Sequence, residues 1–282
     1  MPWRFRTFCD RPTVTHLADD KKRSSAPPAL SIAGSDPSGG AGIQADLKTF
    51  HQMGVYAEAV ITLITVQNTM SVRRVEVLDA DLVLEQIHAV ITDIPPAAAK
   101  TGALGNRAVV EAVAGAAAEF SFPLVVDPVM ISTHGAPLLD DSALEAIKSK
   151  LVPRAFLLMP NLHEAEALAG FPVRTVAAME RAAKALANLG ARNVLVKGGH
   201  LEGDAIDVLY MEDGNFRIFT APRIDTRHTH GTGCTYSAAV TAGLALGLTL
   251  DQAVDRAKKF VTEAIRTNPG LGRGSGPLNH HA

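Results

Sequence analysis

The sequence lacks the marks of several protein classes. It has two cysteines in 282 residues, Cys9 and Cys234, far apart in the chain. That excludes a disulfide framework and fits a reducing, cytoplasmic compartment. No apolar run approaches the roughly 18 residues of a membrane span, so no membrane partner is expected. The formal net charge is −2 and there is no dense Lys/Arg stripe, so no nucleic-acid partner is expected either. His163, His228 and His230 have no second ligand pair in a zinc-like arrangement and read as structural or substrate-contacting. No repeat and no interior linker divides the chain.

Residues 1–28 carry Arg4, Arg6, Lys21, Lys22 and Arg23, three acids and Pro27-Pro28, without helical or strand period. They have no apolar centre for a signal peptide, and Asp10, Asp19 and Asp20 are wrong for a transit peptide. A disordered extension is expected there, followed by one domain over residues 29–282.

From Ala29 onward short β-branched runs alternate with longer amphipathic ones. Ala59–Thr65, Ala97–Thr101, Leu124–Asp127, Phe156–Met159 and Asn193–Lys197 read as strands. Ile206–Met211 and Phe216–Thr220 read as a hairpin about Glu212-Asp213-Gly214-Asn215. Helices are expected after Asp79 or Asp81, over Val176–Leu189, and over Thr232–Leu246 and Leu250–Thr267. Such alternation predicts an α/β fold, a mostly parallel central sheet with helices on both faces. Ligands bind such sheets beyond the carboxyl ends of the strands. The polar residues there are Ser35-Asp36, Gln67-Asn68, Lys100-Thr101, Asp127, Asn161 and Lys197.

Two glycine-rich turns stand out. The first, Ser35-Asp36-Pro37-Ser38-Gly39-Gly40-Ala41-Gly42, joins a strand to a helix. Gly34 and Gly39 have P-loop spacing, but Gly40 and Ala41 stand where Lys and Ser or Thr belong. Gly40, Gly42 and Ala45 fit the dinucleotide pattern, but the acid due at the end of the second strand is missing and Glu58 lies at its other end. The turn therefore fits neither nucleotide motif. The second, His228-Thr229-His230-Gly231-Thr232-Gly233-Cys234-Thr235, opens a helix and suits an anion, because free N–H groups and the helix dipole converge there. In the first turn of that helix, Cys234 has either a lowered thiol pKa or the role of a small buried residue.

Together these residues resemble a known family. Ala33–Thr49, Val66–Thr69, Lys100-Thr101-Gly102, Asp127-Pro128-Val129-Met130, Pro160–Ala165, Lys197-Gly198-Gly199-His200, Thr229–Thr235 and the tail Gly270–His280 are similar to the motifs of hydroxymethylpyrimidine/phosphomethylpyrimidine kinases. The resemblance runs from about residue 29 to the end. It implies a three-layer α/β/α ribokinase-like fold, ATP and Mg²⁺, a small-molecule pyrimidine substrate and a homodimer. It also implies that the first turn closes on the pyrimidine, with Gly34, Ala41 and Asp46 on the substrate side. Gln67 would hydrogen-bond the aminopyrimidine, since a carboxamide offers both donor and acceptor. Val129 would give apolar contact. Gly231, Thr232, Gly233 and Cys234 match the anion hole, with Cys234 as general base or only as its wall. Asp127, Asn161, Lys197 and Thr226 match the ATP side, and Asp127 and Glu164 the magnesium side.

The sequence departs from the family at three places. Ala103 replaces a Met that packs on the substrate ring, His228 replaces an Asn, and Ser132-Thr133-His134-Gly135 differs from the commoner pattern. The room at Ala103 leaves pyridoxal or pyridoxine kinase as the alternative. A non-catalytic binding protein on the same fold would be expected to lose Asp127, Glu164, Lys197 or the second turn, and all are present.

Overall fold

The computed structural model describes residues 26–132, 135–199, 201 and 203–282. Except at residues 26–28, the extension expected over residues 1–28 lies outside these, as do Thr133 and His134. The first strand, β1, is Pro28–Ser35. The chain continues through α1 (Gly42–Met53), β2 (Tyr56–Gln67), β3 (Val72–Val77), α2 (Ala80–Asp93) and β4 (Ala98–Thr101). Next come α3 (Arg107–Ala116), β5 (Leu124–Val126), α4 (Asp141–Ala146), β6 (Leu157–Leu158), α5 (Leu162–Ala169) and α6 (Val176–Asn188). The last are β7 (Asn193–Gly198), β8 (Ala205–Tyr210), β9 (Phe216–Ala221), α7 (Thr232–Ala245) and α8 (Leu250–Arg266).

The strands form one sheet in the order β3-β2-β1-β4-β5-β6-β7-β8-β9. From β2 through β7 every neighbouring pair is parallel; β3, β8 and β9 are antiparallel additions at the two edges. The central strands are buried on both faces, which is why they read as mainly apolar runs. Alternation along them feeds two cores. Leu30, Ile32, Val126 and Leu158 pack with Ile87 of α2, Val113 of α3 and Met179 of α6. Ala29, Val125 and Leu157 pack on the other face with Phe50 of α1, Ala239 of α7 and Val254 of α8. The result is the expected three-layer α/β/α fold.

Asp79 caps α2 by accepting from Asp81 N at 2.9 Å, so of the two candidate caps the first holds that place. β3, α3, α4 and α5 were not among the expected elements. β3 is the half-exposed strand Val-Arg-Arg-Val-Glu-Val, whose adjacent Arg73 and Arg74 break the apolar alternation that would mark it. The three helices depend on side-chain caps: Asn106, Asp140 and Asn161 each accept from the backbone N–H three residues on. Helix α7 is Ala/Gly/Ser/Thr-rich and almost wholly buried. Its small residues allow close approach to α8, where a Cβ on Gly243 would lie 2.9 Å from Ala253 Cβ. That packing fixes the N-terminus of α7 at the sheet's carboxyl edge.

Candidate active site

At that edge lies a cavity of about 910 Å³. The first glycine turn forms one wall. Its Asp36 carboxylate accepts from Ser38 N, Ser38 Oγ and Ala41 N, each at 2.9 Å, and lies 2.8 Å from His230 Nε2. Burial pushes the Asp36 carboxyl up, but the hydrogen bonds from His230 and Ser38 outweigh it and hold it below its ordinary value. This explains why the turn fits neither nucleotide motif. Donors that a phosphate would need are taken by a carboxylate from within the turn.

The second turn differs. Gly231 has φ 83°, and no side chain caps α7. The N-terminus of α7 therefore faces the cavity without an internal anion, which is the arrangement that binds a phosphoryl group. The two turns touch: a Cβ on Gly231 would fall on the carbonyl oxygen of Gly40. Asp127 and Lys197 flank this end, with Lys197 Nζ 2.7 Å from Asp127 Oδ1. Asp127 Oδ2 and Lys197 Nζ would each lie 3.6 Å from a Cβ on Gly233. Burial acts to lower the Lys197 pKa, but Asp127 and Glu164 outweigh it, so the ammonium stays charged. Asn161 and Glu164 cap α5 reciprocally, at 3.0 and 2.8 Å. Burial pushes Glu164 up to about 7, with Lys197 opposing and Asp127 reinforcing the shift.

Among the described residues no three His, Cys, Asp or Glu side chains group to hold a metal by themselves. Two neighbouring carboxylates, one resisting ionisation, nonetheless suit a hard divalent cation that keeps its waters and rests partly on a ligand's phosphates.

Of the residues expected at the site, Gly34, Ala41, Gln67, Ala103, Asp127, Val129, Asn161, Glu164, Lys197, Thr226 and Gly231–Cys234 line the cavity. Asp46 is not among the lining residues. It is fully buried, with Lys100 Nζ at 2.8 and 2.9 Å and Ser31 Oγ at 2.6 Å. Lys100 is likewise enclosed, held charged by Asp46 against burial. The thiol of Cys234 also departs from the lowered-pKa alternative. Burial pushes it up to about 11; Lys100 opposes the rise while Asp46 and Asp127 add to it. The helix terminus does not overcome the loss of water.

Among the lining residues that were not expected are Asp207, Tyr236 and Lys258. Lys258 Nζ donates to Asp207 Oδ2 at 2.6 Å and Tyr236 OH donates to the same oxygen at 3.0 Å. A signal was present, for Lys258 falls on the apolar face of α8 between Val254 and Val261. The partner Asp207 sits mid-strand and carried no such signal.

A strand-end cleft with an uncapped helix N-terminus facing a lysine–carboxylate pair, on an open α/β/α sheet, defines the ribokinase-like class. The comparisons narrow it. The family model for phosphomethylpyrimidine kinase matches residues 36–279. A hydroxymethylpyrimidine/phosphomethylpyrimidine kinase of Bacillus subtilis is 44% identical over 256 residues, 90% of this chain and 94% of that protein. A solved phosphomethylpyrimidine kinase from Clostridium difficile superposes with TM-score 0.76 at 42% identity, covering 85% of this chain and 99% of its own. A Bacillus subtilis pyridoxal kinase, solved as an ADP complex, superposes with TM-score 0.83 at 39% identity, covering 92% and 98%. The chain belongs to the phosphomethylpyrimidine kinase family.

Proposed function

We propose that the chain transfers the terminal phosphoryl group of ATP to 4-amino-5-hydroxymethyl-2-methylpyrimidine, and then phosphorylates the monophosphate to the diphosphate for thiamine biosynthesis. The observation that carries this is the chemistry of the cavity. Gln67 and the first turn line it together with Lys197, Asp127 and the uncapped N-terminal end of α7, which meets the first turn where Gly231 abuts Gly40. A neutral amide suits a heteroaromatic edge, and the cationic, N–H-rich end suits a phosphoryl group in flight.

In this reading Gly34, Ala41, Gln67, Ala103 and Val129 hold the pyrimidine. Asp46 supports them from below, through Lys100. Lys197, Asn161 and Thr226 serve the nucleotide. Asp127 and Glu164 would hold Mg²⁺, which supplies charge neutralisation between the phosphates when bound. Gly231, Thr232 and Gly233 donate to the moving group. Cys234 takes the hydroxymethyl proton. With its thiol near 11 only a small thiolate fraction exists at neutral pH, so turnover climbs with pH. The reading extends to one domain over 29–282 and a cytoplasmic homodimer, for which Tyr56, Ile64 and Val66 of β2 offer exposed apolar side chains.

Pyridoxal kinase is the second reading. It is favoured by the small side chain at Ala103, which lines the cavity, and by the TM-score to the pyridoxal kinase. A coupled ATP assay with magnesium separates the two. Hydroxymethylpyrimidine, its monophosphate and pyridoxal are compared by kcat/KM. Both pyrimidines far ahead of pyridoxal is the expected result. Pyridoxal in front would overturn the first reading, and no turnover at all would overturn both.

A further inference from the structure

Gln67 does not stand alone. Its Nε2 lies 3.1 Å from His230 Nε2, and its Oε1 lies 3.3 Å from Thr65 Oγ1. Both contacts conflict with the bonds around them. Asp36 accepts three hydrogen bonds from its own turn and is held ionised, so it can only accept. His230 Nε2, 2.8 Å away, must then carry a proton and donate it to Asp36 Oδ2. A protonated Nε2 cannot accept from the Gln67 amide nitrogen.

The second conflict is independent. Thr65 Oγ1 lies 3.0 Å from the carbonyl oxygen of Ser35, which can only accept. The single hydroxyl proton goes there. Thr65 Oγ1 then has only lone pairs to offer Gln67, and cannot donate to its oxygen.

One half-turn of the carboxamide resolves both, and it moves no other group. The Gln67 oxygen then accepts from His230 Nε2–H, shared with Asp36, and one Gln67 N–H donates to Thr65 Oγ1. One N–H and one carbonyl lone pair remain for a ligand, in a fixed order. The support is rigid. His230 is 2% exposed, its backbone N–H donates to Gly276 O at 3.1 Å, and its ring packs on Gly40.

We propose that Asp36 and Thr65, the former through His230, lock the Gln67 carboxamide in one orientation. His230 is thereby the positioning residue that makes the cavity choose a 4-amino over a 4-oxo pyrimidine. This rests on the pyrimidine kinase reading. A 4-aminopyrimidine presents a ring acceptor beside an amino donor. The 4-oxo form presents a ring N–H beside a carbonyl acceptor, which is the reverse order. A locked amide fits one of them, and an amide free to turn fits either.

The test compares 4-amino-5-hydroxymethyl-2-methylpyrimidine with its 4-oxo analogue by kcat/KM. Wild type is expected to favour the amino compound by about a hundredfold. His230→Leu is expected to shrink that ratio about tenfold, the worth of one net hydrogen bond, and Thr65→Val to shrink it in the same direction. His230→Gln, whose amide reaches Asp36 from the position of Nε2, restores it. An unchanged ratio in His230→Leu overturns the proposal, as does failure of His230→Gln to restore it. An NMR spectrum of the wild-type imidazole nitrogens decides the lock without turnover and without any variant. A proton on Nε2 supports it, and a bare Nε2 overturns it. If wild type turns over neither compound, the substrate reading fails while the imidazole spectrum still decides the lock.

Discussion

Residues 34–42 and 229–235 have similar compositions and opposite uses for their backbone donors. The first turn bonds to itself: Asp36 accepts from the amides of Ser38 and Ala41, and it also accepts from His230 Nε2–H. The second turn carries no carboxylate of its own, and no side chain caps α7. A glycine-rich strand–helix turn is thus an anion site only when it brings no anion of its own. The carboxylate that disqualifies the first turn also ties it to the second.

Four changes would break or sharpen this contrast. The largest effect belongs to Gly231→Ala. An alanine there must adopt positive φ and meet the Gly40 carbonyl. The expected cost is about 2–4 kcal/mol in a denaturant melt, with turnover down roughly 10²–10³-fold as the anion site deforms.

Cys234→Ala comes next. Turnover is expected to fall about 10²-fold with nucleotide binding kept. Wild-type kcat should climb steadily from pH 7 to pH 9, because a thiol near 11 is still far from half-ionised there. The variant should lose that slope. A wild-type profile flat over this range would leave Cys234 only as a wall of the anion hole.

Asp36→Asn opens the first turn. The expected cost is about 1–3 kcal/mol at pH 7. The folded pKa of Asp36 lies below its ordinary 3.8, so its stabilisation is present above that value and is lost as pH falls through the folded pKa. The gap between wild type and variant should therefore narrow below about pH 4, as read by urea melts at both pH values.

Glu58→Gln is a control remote from both turns, with the smallest effect. Neither Glu58 carboxylate oxygen has a hydrogen-bond partner, and burial pushes the group up to about 7. Its protonated form favours folding. That contribution is whole below the ordinary 4.5 and is lost as pH rises through about 7. The variant should gain about 1 kcal/mol at pH 8, after allowance for solvent screening, and nothing at pH 4. A gain at both pH values would mean that ionisation is not the cause.

Much of the fold was legible because its elements are patterned for burial. The central strands are apolar runs and the long helices carry apolar faces, so their existence follows from period alone. β3 was not legible, because adjacent Arg73 and Arg74 break the apolar alternation of this half-exposed edge strand. Nor were α3, α4 and α5, whose starts rest on one or two capping side chains. The candidate site was legible as motifs at strand ends, and nearly all of it does meet in one cavity. Asp46 was misread because a motif cannot distinguish a residue that lines a pocket from one that supports the lining.

The sequence by itself determined the layers, the strand order's parallel core and the two glycine turns, because periodicity and glycine placement are local properties. Tertiary structure alone decided protonation and pairing. Cys234 sits at a helix start, which lowers a thiol, yet its enclosure raises it to about 11. Asp36 and His230 are 194 residues apart and share a hydrogen bond, and Asp207 finds Lys258 only through the packing of α8 on β9. Desolvation and long-range hydrogen bonds depend on what surrounds a group in space, and that is settled only when the layers close.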